Sequence, residues 1–177
     1  MLEIIREDDE RLHLVSEEIG KHITKAQHKL ISEVKKFLLS YPRAIAIAAP
    51  QVGINLSFFV ARRTLSDVSV AINPRVRWTS IDEKEEILVD SNGKPLPRQT
   101  PAWEGCISFQ GKEFLVTRPQ VVKVEYMTEK GKMRSSVLSG LDARIFLHET
   151  DHLNGVTVDL ICNASREVSE EENGMTL

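Results

Sequence analysis

A run of apolar residues at helical spacing follows residue 24. Thr24, with Gln27 three positions later, is typical of a capping box at the start of a helix. Apolar side chains then recur every three or four residues, at Leu30, Ile31, Val34, Phe37, Leu38 and Tyr41. Pro42 stops the run, so the pattern predicts an amphipathic N-terminal helix that ends before Pro42.

Short apolar runs after this helix are typical of strands. We place strands near residues 44–48, 56–61, 68–72, 76–80 and 85–89. Asn73-Pro74 predicts a break between the third and fourth of them. The proline-containing stretch 90–101 predicts a loop.

The second half of the chain predicts a hairpin, a helix and a tail. Residues 121–126 and 133–138 flank a turn that contains Gly131, which is typical of a β-hairpin. Ser139, with Asp142 three residues on, resembles a helix start, and Gly155 is expected just after the helix ends near residue 154. The acidic segment 164–177 has few apolar residues, so we expect a disordered tail after a single domain over residues 1–163.

Composition narrows the class of protein. A chain of 177 residues suits one domain, and its formal net charge of -3 offers no broad basic surface for a nucleic acid. Its apolar runs fall short of the ~20 residues of a membrane span. The two cysteines, Cys106 and Cys162, are too few for a disulfide framework. With an acidic N-terminal segment unlike a targeting peptide, these features favour a cytoplasmic protein without membrane or nucleic-acid contacts.

The predicted second helix carries the candidate chemistry. Its segment His148-Glu149-Thr150-Asp151-His152 has the spacing His-Glu-x-x-His, which places both imidazoles on one helix face, where they can bind one metal ion. Glu149 lies beside the first histidine and can take a proton from an attacking water. Two histidines that are merely hydrogen-bonded would show the same spacing, so the pattern alone leaves that alternative open.

Two histidines leave a tetrahedral site short of a third protein ligand. Cys106 can supply it from the segment Glu104-Gly105-Cys106-Ile107-Ser108, where Gly105 allows close backbone approach. A buried cysteine that acts only as a small apolar side chain is the alternative, and it is our interpretation of Cys162.

Three segments together resemble peptide deformylases, whose motifs are roughly Gly-x-Gly-x-Ala-Ala-x-Gln, Glu-Gly-Cys-Leu-Ser and His-Glu-x-x-His. They stand here, in that order, at residues 44–51, 104–108 and 148–152. The run 140–144 before the last motif is also similar to the family. The resemblance implies an α+β fold, in which antiparallel sheets surround a central helix that carries the His-Glu-x-x-His site.

The resemblance also implies roles for these residues. Cys106, His148 and His152 would bind one divalent metal ion, usually Fe²⁺ in the family, with Zn²⁺, Ni²⁺ or Co²⁺ as substitutes. Glu149 would accept the proton of the attacking water and return it to the departing amine.

Further roles follow from the family for residues around this centre. The Gln51 side-chain amide and the Ile107 backbone N–H would stabilise the oxyanion. Gln51 could otherwise be a surface amide. Arg118 is expected to pair with Asp151 and so support the helix, although an ordinary surface arginine is an alternative.

The implied substrate is an N-formylmethionyl peptide of a nascent chain, with transient ribosome contact. Its extended backbone would pair with the strand around Ile45 and Ala46 and with Gly105. Ile45, Leu141 and Ile145 would form an apolar pocket for the methionine side chain. Leu141 and Ile145 share a helical stripe with the two histidines and are expected to face the core.

The sequence departs from the family pattern in three places. Ala44 and Ala46 replace the glycines of the first motif, and we expect their methyl groups on one strand face, near the substrate or the packing behind it. Leu147 replaces a glutamine common before the first histidine. Residues after Ile161 predict neither a long amphipathic helix nor an apolar strand, which bears on ribosome contact.

Two alternatives to an active deformylase remain at this point. One is a relative with narrowed or lost activity because of the two alanines. The other is a zinc peptidase built on His-Glu-x-x-His, although that class takes its third ligand from His or Glu, whereas Cys106 is the best candidate here.

Overall fold

Two antiparallel sheets and three α-helices form the part of the chain that the structure, a computed structural model, describes: residues 2–62, 68–82, 92, 95 and 97–169. The helices are α1 (Lys25–Ser40), α2 (Gly140–Leu153) and α3 (Val158–Ile161). The strands are β1 (Ala46–Ala48), β2 (Phe58–Arg62), β3 (Val68–Thr79), β4 (Gln99–Gly105), β5 (Lys112–Pro119), β6 (Val121–Met127), β7 (Met133–Ser139) and β8 (Ala164–Glu167). One sheet has the order β1-β2-β3-β6-β7 and the other β4-β5-β8. The predicted α+β class is confirmed.

Helix α1 begins as predicted. The Thr24 side chain accepts a hydrogen bond from the Gln27 backbone N–H, and the Gln27 side chain accepts one from the Thr24 N–H. These reciprocal bonds satisfy two of the backbone donors that a helix start leaves free. Ile31, Val34 and Leu38 lie on one face and are fully buried. The helix therefore packs one apolar stripe against the five-stranded sheet.

The five-stranded sheet lies between α1 and α2. Successive side chains of β2 point to opposite faces, so Phe58 packs into the cluster with Leu38 of α1. Phe59 packs instead with Phe146 of α2, with ring centroids 5.3 Å apart and nearly perpendicular planes. The sheet is thus buried on both faces, and α2 lies inside the molecule.

Two strand predictions need correction. Asn73-Pro74 does not end a strand, because β3 runs through it with a register shift between Ile72 and Arg75. Asn73 adopts φ 47°, a local irregularity that lets the pairing with β6 resume. The predicted loop 90–101 also overlaps β4, which begins at Gln99. The predicted strand 85–89 lies outside the described residues.

The predicted hairpin is confirmed as β6 and β7, which pair in register from Val121 opposite Ser139 to Met127 opposite Met133. Helix α2 then starts directly after β7. Its predicted cap is wrong, since the Ser139 side chain makes no capping bond to the described residues.

The end of α2 is fixed by Gly155, as predicted, in the left-handed conformation with φ 72°. A Cβ atom at this position would overlap the His13 carbonyl group. We call residues 13–19 the N-terminal strap, because they cross the end of α2 here. The Ser16 N–H donates to the Leu153 carbonyl, and the Ile19 backbone exchanges two hydrogen bonds with the Asn73 side chain.

The prediction of a disordered tail is wrong for its first four residues. Ala164–Glu167 form β8, which pairs with β5 from Lys112 to Leu115. The Arg166 guanidinium bonds to the Glu113 carboxylate at 2.6 Å and lies 4.3 Å from the ring centroid of Trp103. Every β8 residue is exposed, so backbone pairing and Arg166 hold the strand, which an apolar count cannot reveal.

Among the described helices, none is long and apolar enough to cross a lipid bilayer.

Candidate metal centre and active site

Cys106, His148 and His152 meet inside the molecule although Cys106 is distant in sequence. Helix α2 carries both histidines on one face, and Cys106 directly follows β4. One ligand atom of each residue lies within 4.8 Å of the others. Cys106 Sγ is 3.3 Å from His152 Nε2. All three residues are at most 2% exposed.

Glu104 orients the first histidine. Its carboxylate oxygen Oε2 lies 3.0 Å from His148 Nδ1, so Nδ1–H donates to it and Nε2 is left for a metal. Glu104 is 1% exposed, and a buried carboxylate needs further donors. They come from Arg118, whose Nε and Nη2 atoms lie 2.7 and 2.9 Å from the two oxygens, and from Arg144 Nη1 at 2.5 Å.

Arg118 also joins this network to the far end of α2. The sequence predicts a pair between Arg118 and Asp151, and the structure places Arg118 Nη1 2.7 Å from Asp151 Oδ2. Sequence reasoning missed Glu104 and Arg144 as members of the network. The available signal for Arg144 was its position four residues before His148, which puts both on one helix face.

The pKa values of the two buried carboxylates of the site, Glu104 and Glu149, are shifted in opposite directions. Burial alone would raise the pKa of Glu104, but hydrogen bonds from His148 and Arg118 overcome it and hold the pKa at about 2. Burial raises the pKa of Glu149 well above its ordinary value, and the charge of Arg118 only partly opposes this. Glu104 is therefore a fixed anion, whereas Glu149 readily binds a proton.

Burial also dominates at the thiol and at the second histidine. It raises the pKa of Cys106 to about 12, against the opposing effect of the Ser108 peptide N–H. It lowers the pKa of His152 well below its ordinary value, with His148 adding to the effect. A neutral His152 has a lone pair for a cation, and a cation would favour the Cys106 thiolate.

The residues fit a metal ion. Among the described residues, buried His148 Nε2 and both carboxylate oxygens of Glu149 have no hydrogen-bond partner of normal geometry. Such atoms are costly unless a ligand satisfies them. A thiol and two imidazoles suit a borderline-soft divalent cation such as Fe²⁺, Zn²⁺, Ni²⁺ or Co²⁺.

Gln51 lies at the centre rather than on the surface. It is fully buried; its Nε2 donates to Cys106 Sγ at 3.3 Å, and its Oε1 accepts from the Ala48 N–H at 2.9 Å. The Ala48 bond fixes the amide orientation, so that NH₂ faces the thiol. Ile107, directly after Cys106, is 2% exposed.

The structure brings together some, but not all, of the residues predicted to contact the substrate. Ile45 is half-buried and packs with buried Ala46 and Ile145. Gly105 ends β4 beside Cys106. Leu141 is 58% exposed, so the prediction that it faces the core is wrong; it lies in the first turn of α2, where the helix reaches solvent.

Ala44 and Ala46 do not share a face as predicted. Ala44 precedes β1 and packs into the cluster below α1, while Ala46 packs against Ile145 of α2. Strand alternation begins only at Ala46, so it does not apply to Ala44. Both alanines are fully buried, and their methyl groups therefore contact the core packing on both sides of the strand start.

A buried carboxylate beside a Cys-His-His group, on a helix enclosed by antiparallel sheets, defines the class of protein: a metal-dependent hydrolase. Comparison with known proteins then gives the family. Residues 1–167 match the family model described as polypeptide deformylase. The chain therefore belongs to the polypeptide deformylase family, and the resemblance seen in its motifs is confirmed.

Individual relatives agree with this assignment. A peptide deformylase of Thermotoga petrophila is 35% identical over 150 residues, which cover 83% of this chain and 81% of the relative. The crystal structure of peptide deformylase from Thermotoga maritima superposes with a TM-score of 0.77 and 27% identity, covering 93% of this chain and 99% of that one. The crystal structure of a Met-Ala-Ser-bound class I type b peptide deformylase from Acinetobacter baumannii superposes with a TM-score of 0.74 and 25% identity. The match covers 90% of this chain and 97% of that one.

Proposed function

We propose that this chain removes the N-formyl group from the N-terminal formylmethionine of nascent peptides and releases formate. The observation that carries the proposal is the unpartnered, buried Glu149 carboxylate beside the Cys106, His148 and His152 group. Family membership supports the reaction, and the Met-Ala-Ser ligand of the Acinetobacter baumannii relative supports a peptide substrate for this chain.

Cys106, His148 and His152 would hold the divalent ion, for which we propose Fe²⁺, with Zn²⁺, Ni²⁺ or Co²⁺ as substitutes. When bound, the ion supplies Lewis-acid activation of water and of the formyl oxygen. Glu104 and Arg118 keep the His148 ring oriented for this task through the Nδ1 hydrogen bond.

Glu149 moves the protons. Its carboxylate would take up a proton from the attacking water, and the same proton can pass to the amine nitrogen as the formyl C–N bond breaks. The second N–H of the Gln51 amide and the Ile107 backbone N–H would donate to the oxygen that gains negative charge.

The peptide would lie extended along Ile45 and Ala46, at the start of β1, and beside Gly105. Ile45, Ile145 and Leu141 would surround its methionine side chain. Such a substrate emerges from the ribosome in the cytoplasm, which is where we propose the chain acts, through transient ribosome contact.

One assay tests the function. The Fe²⁺-loaded protein is incubated with formyl-Met-Ala-Ser and, in parallel, with acetyl-Met-Ala-Ser, and formate and free amine are measured. We expect formate and free Met-Ala-Ser from the first peptide alone, released at least about a hundredfold more slowly by a Glu149→Gln control that retains its metal. Cleavage at an internal bond would show a peptidase instead. If neither peptide yields formate or free amine, the chain is a family member without this activity.

A narrowed substrate range is the second candidate, because Ala46 fills space against Ile145. It predicts that formyl peptides with a small first side chain are turned over at least as well as formyl-Met peptides. A strong preference for formyl-Met would exclude it.

A further inference from the structure

Arg144 makes more hydrogen bonds in the buried network than the orientation of Glu104 requires. Glu104 already receives two bonds from Arg118 and one from His148. Arg144 adds a fourth donor, Nη1, at 2.5 Å from Oε1. Its side chain is 11% exposed, so all of these bonds lie away from bulk water, where they are worth more than at the surface.

The remaining bonds of Arg144 go to the backbone of the three-stranded sheet. Nη2 donates to the Thr100 carbonyl of β4 at 2.6 Å, and Nη1 also donates to the Val116 carbonyl of β5 at 3.0 Å. Arg144 itself belongs to α2. One guanidinium thus joins the helix to both strands and to the Glu104 side chain between them. We call this set of contacts the Arg144 clamp.

The clamp joins the two elements that must supply the metal ligands. Cys106 follows the last residue of β4, while His148 and His152 project from α2. A small movement of β4 relative to α2 would carry Cys106 Sγ away from His152 Nε2, now 3.3 Å distant. Arg118 joins β5 to α2 through Asp151. Among the described residues of α2, only Arg144 has a side chain that donates to a backbone carbonyl of β4.

We propose that Arg144 is a positioning residue for the metal centre: it holds β4 against α2 so that Cys106, His148 and His152 meet at one ion. The inference rests on the proposed metal site. It does not require Arg144 to touch substrate or metal. The planar, five-donor guanidinium is needed because its acceptors, two carbonyls and a carboxylate, lie in different directions.

The test is Co²⁺ binding to metal-free wild type, Arg144→Met and Arg144→Lys, with affinity from titration and thiolate ligation from the sulfur-to-cobalt charge-transfer absorption. Arg144→Met keeps the apolar stem but loses every donor. We expect Co²⁺ affinity to fall roughly ten- to a hundredfold and the charge-transfer band to weaken. Arg144→Lys, which can reach fewer acceptors, should give intermediate values.

Ile31→Ala is the matched control, because it destabilises the fully buried face of α1 without touching the clamp. It should lower the melting temperature yet leave Co²⁺ affinity and spectrum unchanged in the folded protein. Wild-type affinity and spectrum in folded Arg144→Met would overturn the proposal, as would losses no larger than those of Ile31→Ala.

If Arg144→Met does not fold, Arg144→Lys provides the test. An Arg144→Lys protein with the Co²⁺ affinity and charge-transfer absorption of wild type would overturn the proposal. A wild type that binds no Co²⁺ would instead contradict the proposed metal site, so the two failures are distinguishable.

Discussion

At the scale of single residues, Glu104 and Glu149 show how position determines the role of a carboxylate. Both are buried, and burial alone would make each a weak acid. Two guanidinium groups and an imidazole face Glu104, so it stays ionised and orients His148. Glu149 has no such donors among the described residues and keeps a high proton affinity. One site thus contains a carboxylate that stays ionised and a second one, Glu149, to which the proposed function gives the proton transfer.

Replacing Glu149 by glutamine tests the second role. The amide has nearly the same shape, but it cannot accept a proton from water or return one to the amine. We expect kcat to fall by about 10²- to 10⁴-fold with unchanged metal content. Formate release and metal analysis on the same sample are the measurements. A rate close to that of wild type would contradict the assigned role.

The cysteine pair offers a matched test of the ligand assignment. Cys106 lies with the two histidines, whereas half-buried Cys162 donates to the Asp159 carbonyl near the surface. Cys106→Ala should therefore lose most of the bound metal, and Cys162→Ser should keep it. Elemental analysis of both purified variants provides the comparison. Equal metal content in Cys106→Ala and wild type would remove Cys106 from the site.

The spacing of residues 148–152 predicts that the two histidines lie side by side, because a helix brings positions four apart to one face. The surroundings of Glu104 could not be predicted in this way. Its partners Arg118 and Arg144 are 14 and 40 residues away, and only the packing of β5 and α2 against β4 brings them together.

At the scale of elements, local patterns predicted α1, the β6–β7 hairpin and α2, but they failed where the backbone tolerates an exception. Asn73-Pro74 looks like a strand break, yet β3 continues because Asn73 takes a left-handed conformation and its side chain bonds the N-terminal strap. Leu141 fits the apolar stripe of α2, but the stripe is buried only from the second turn onwards.

Gly155, which ends α2, supports a sharp prediction. Gly155→Ala places a methyl group in the left-handed region and against the His13 carbonyl. We expect a loss of at least about 2 kcal/mol in the free energy of unfolding, measured by urea denaturation.

Gly20→Ala is the control, since a Cβ atom there meets nothing within 4 Å and Gly20 is exposed. That substitution should change stability by no more than about 0.5 kcal/mol. Equal effects of the two substitutions would show that the contact with the N-terminal strap is not close in solution.

At the scale of the whole molecule, β8 completes the three-stranded sheet with a strand that buries almost nothing. Its four residues cover the edge of β5 and place Arg166 between Glu113 and Trp103. β8 is then the edge strand of this sheet, and its four exposed residues offer other chains a shorter edge than β5 would. We therefore expect the segment to contribute to solubility as well as to stability.

Two truncations separate β8 from the acidic residues that follow. A chain ending at Ser169 should melt like the full chain, whereas one ending at Asn163 should lose about 1 kcal/mol, or roughly 2–4 °C. The shorter chain should also aggregate sooner, because it exposes the β5 edge. Thermal melts followed by light scattering measure both effects. Identical behaviour of the two truncations would show that β8 contributes nothing.

The N-terminal strap has a consequence for how the protein is made. Residues 13–19 leave the ribosome early, but their partners include Leu153 and Gly155, which are synthesised more than a hundred residues later. The Ile5 N–H, also early in the chain, bonds the backbone carbonyl of Gln51, whose side chain donates to Cys106 Sγ. The strap must therefore stay undocked through most of translation, and the end of α2 is fixed only when nearly the whole domain has emerged. An incomplete chain is accordingly expected to lack the finished metal centre.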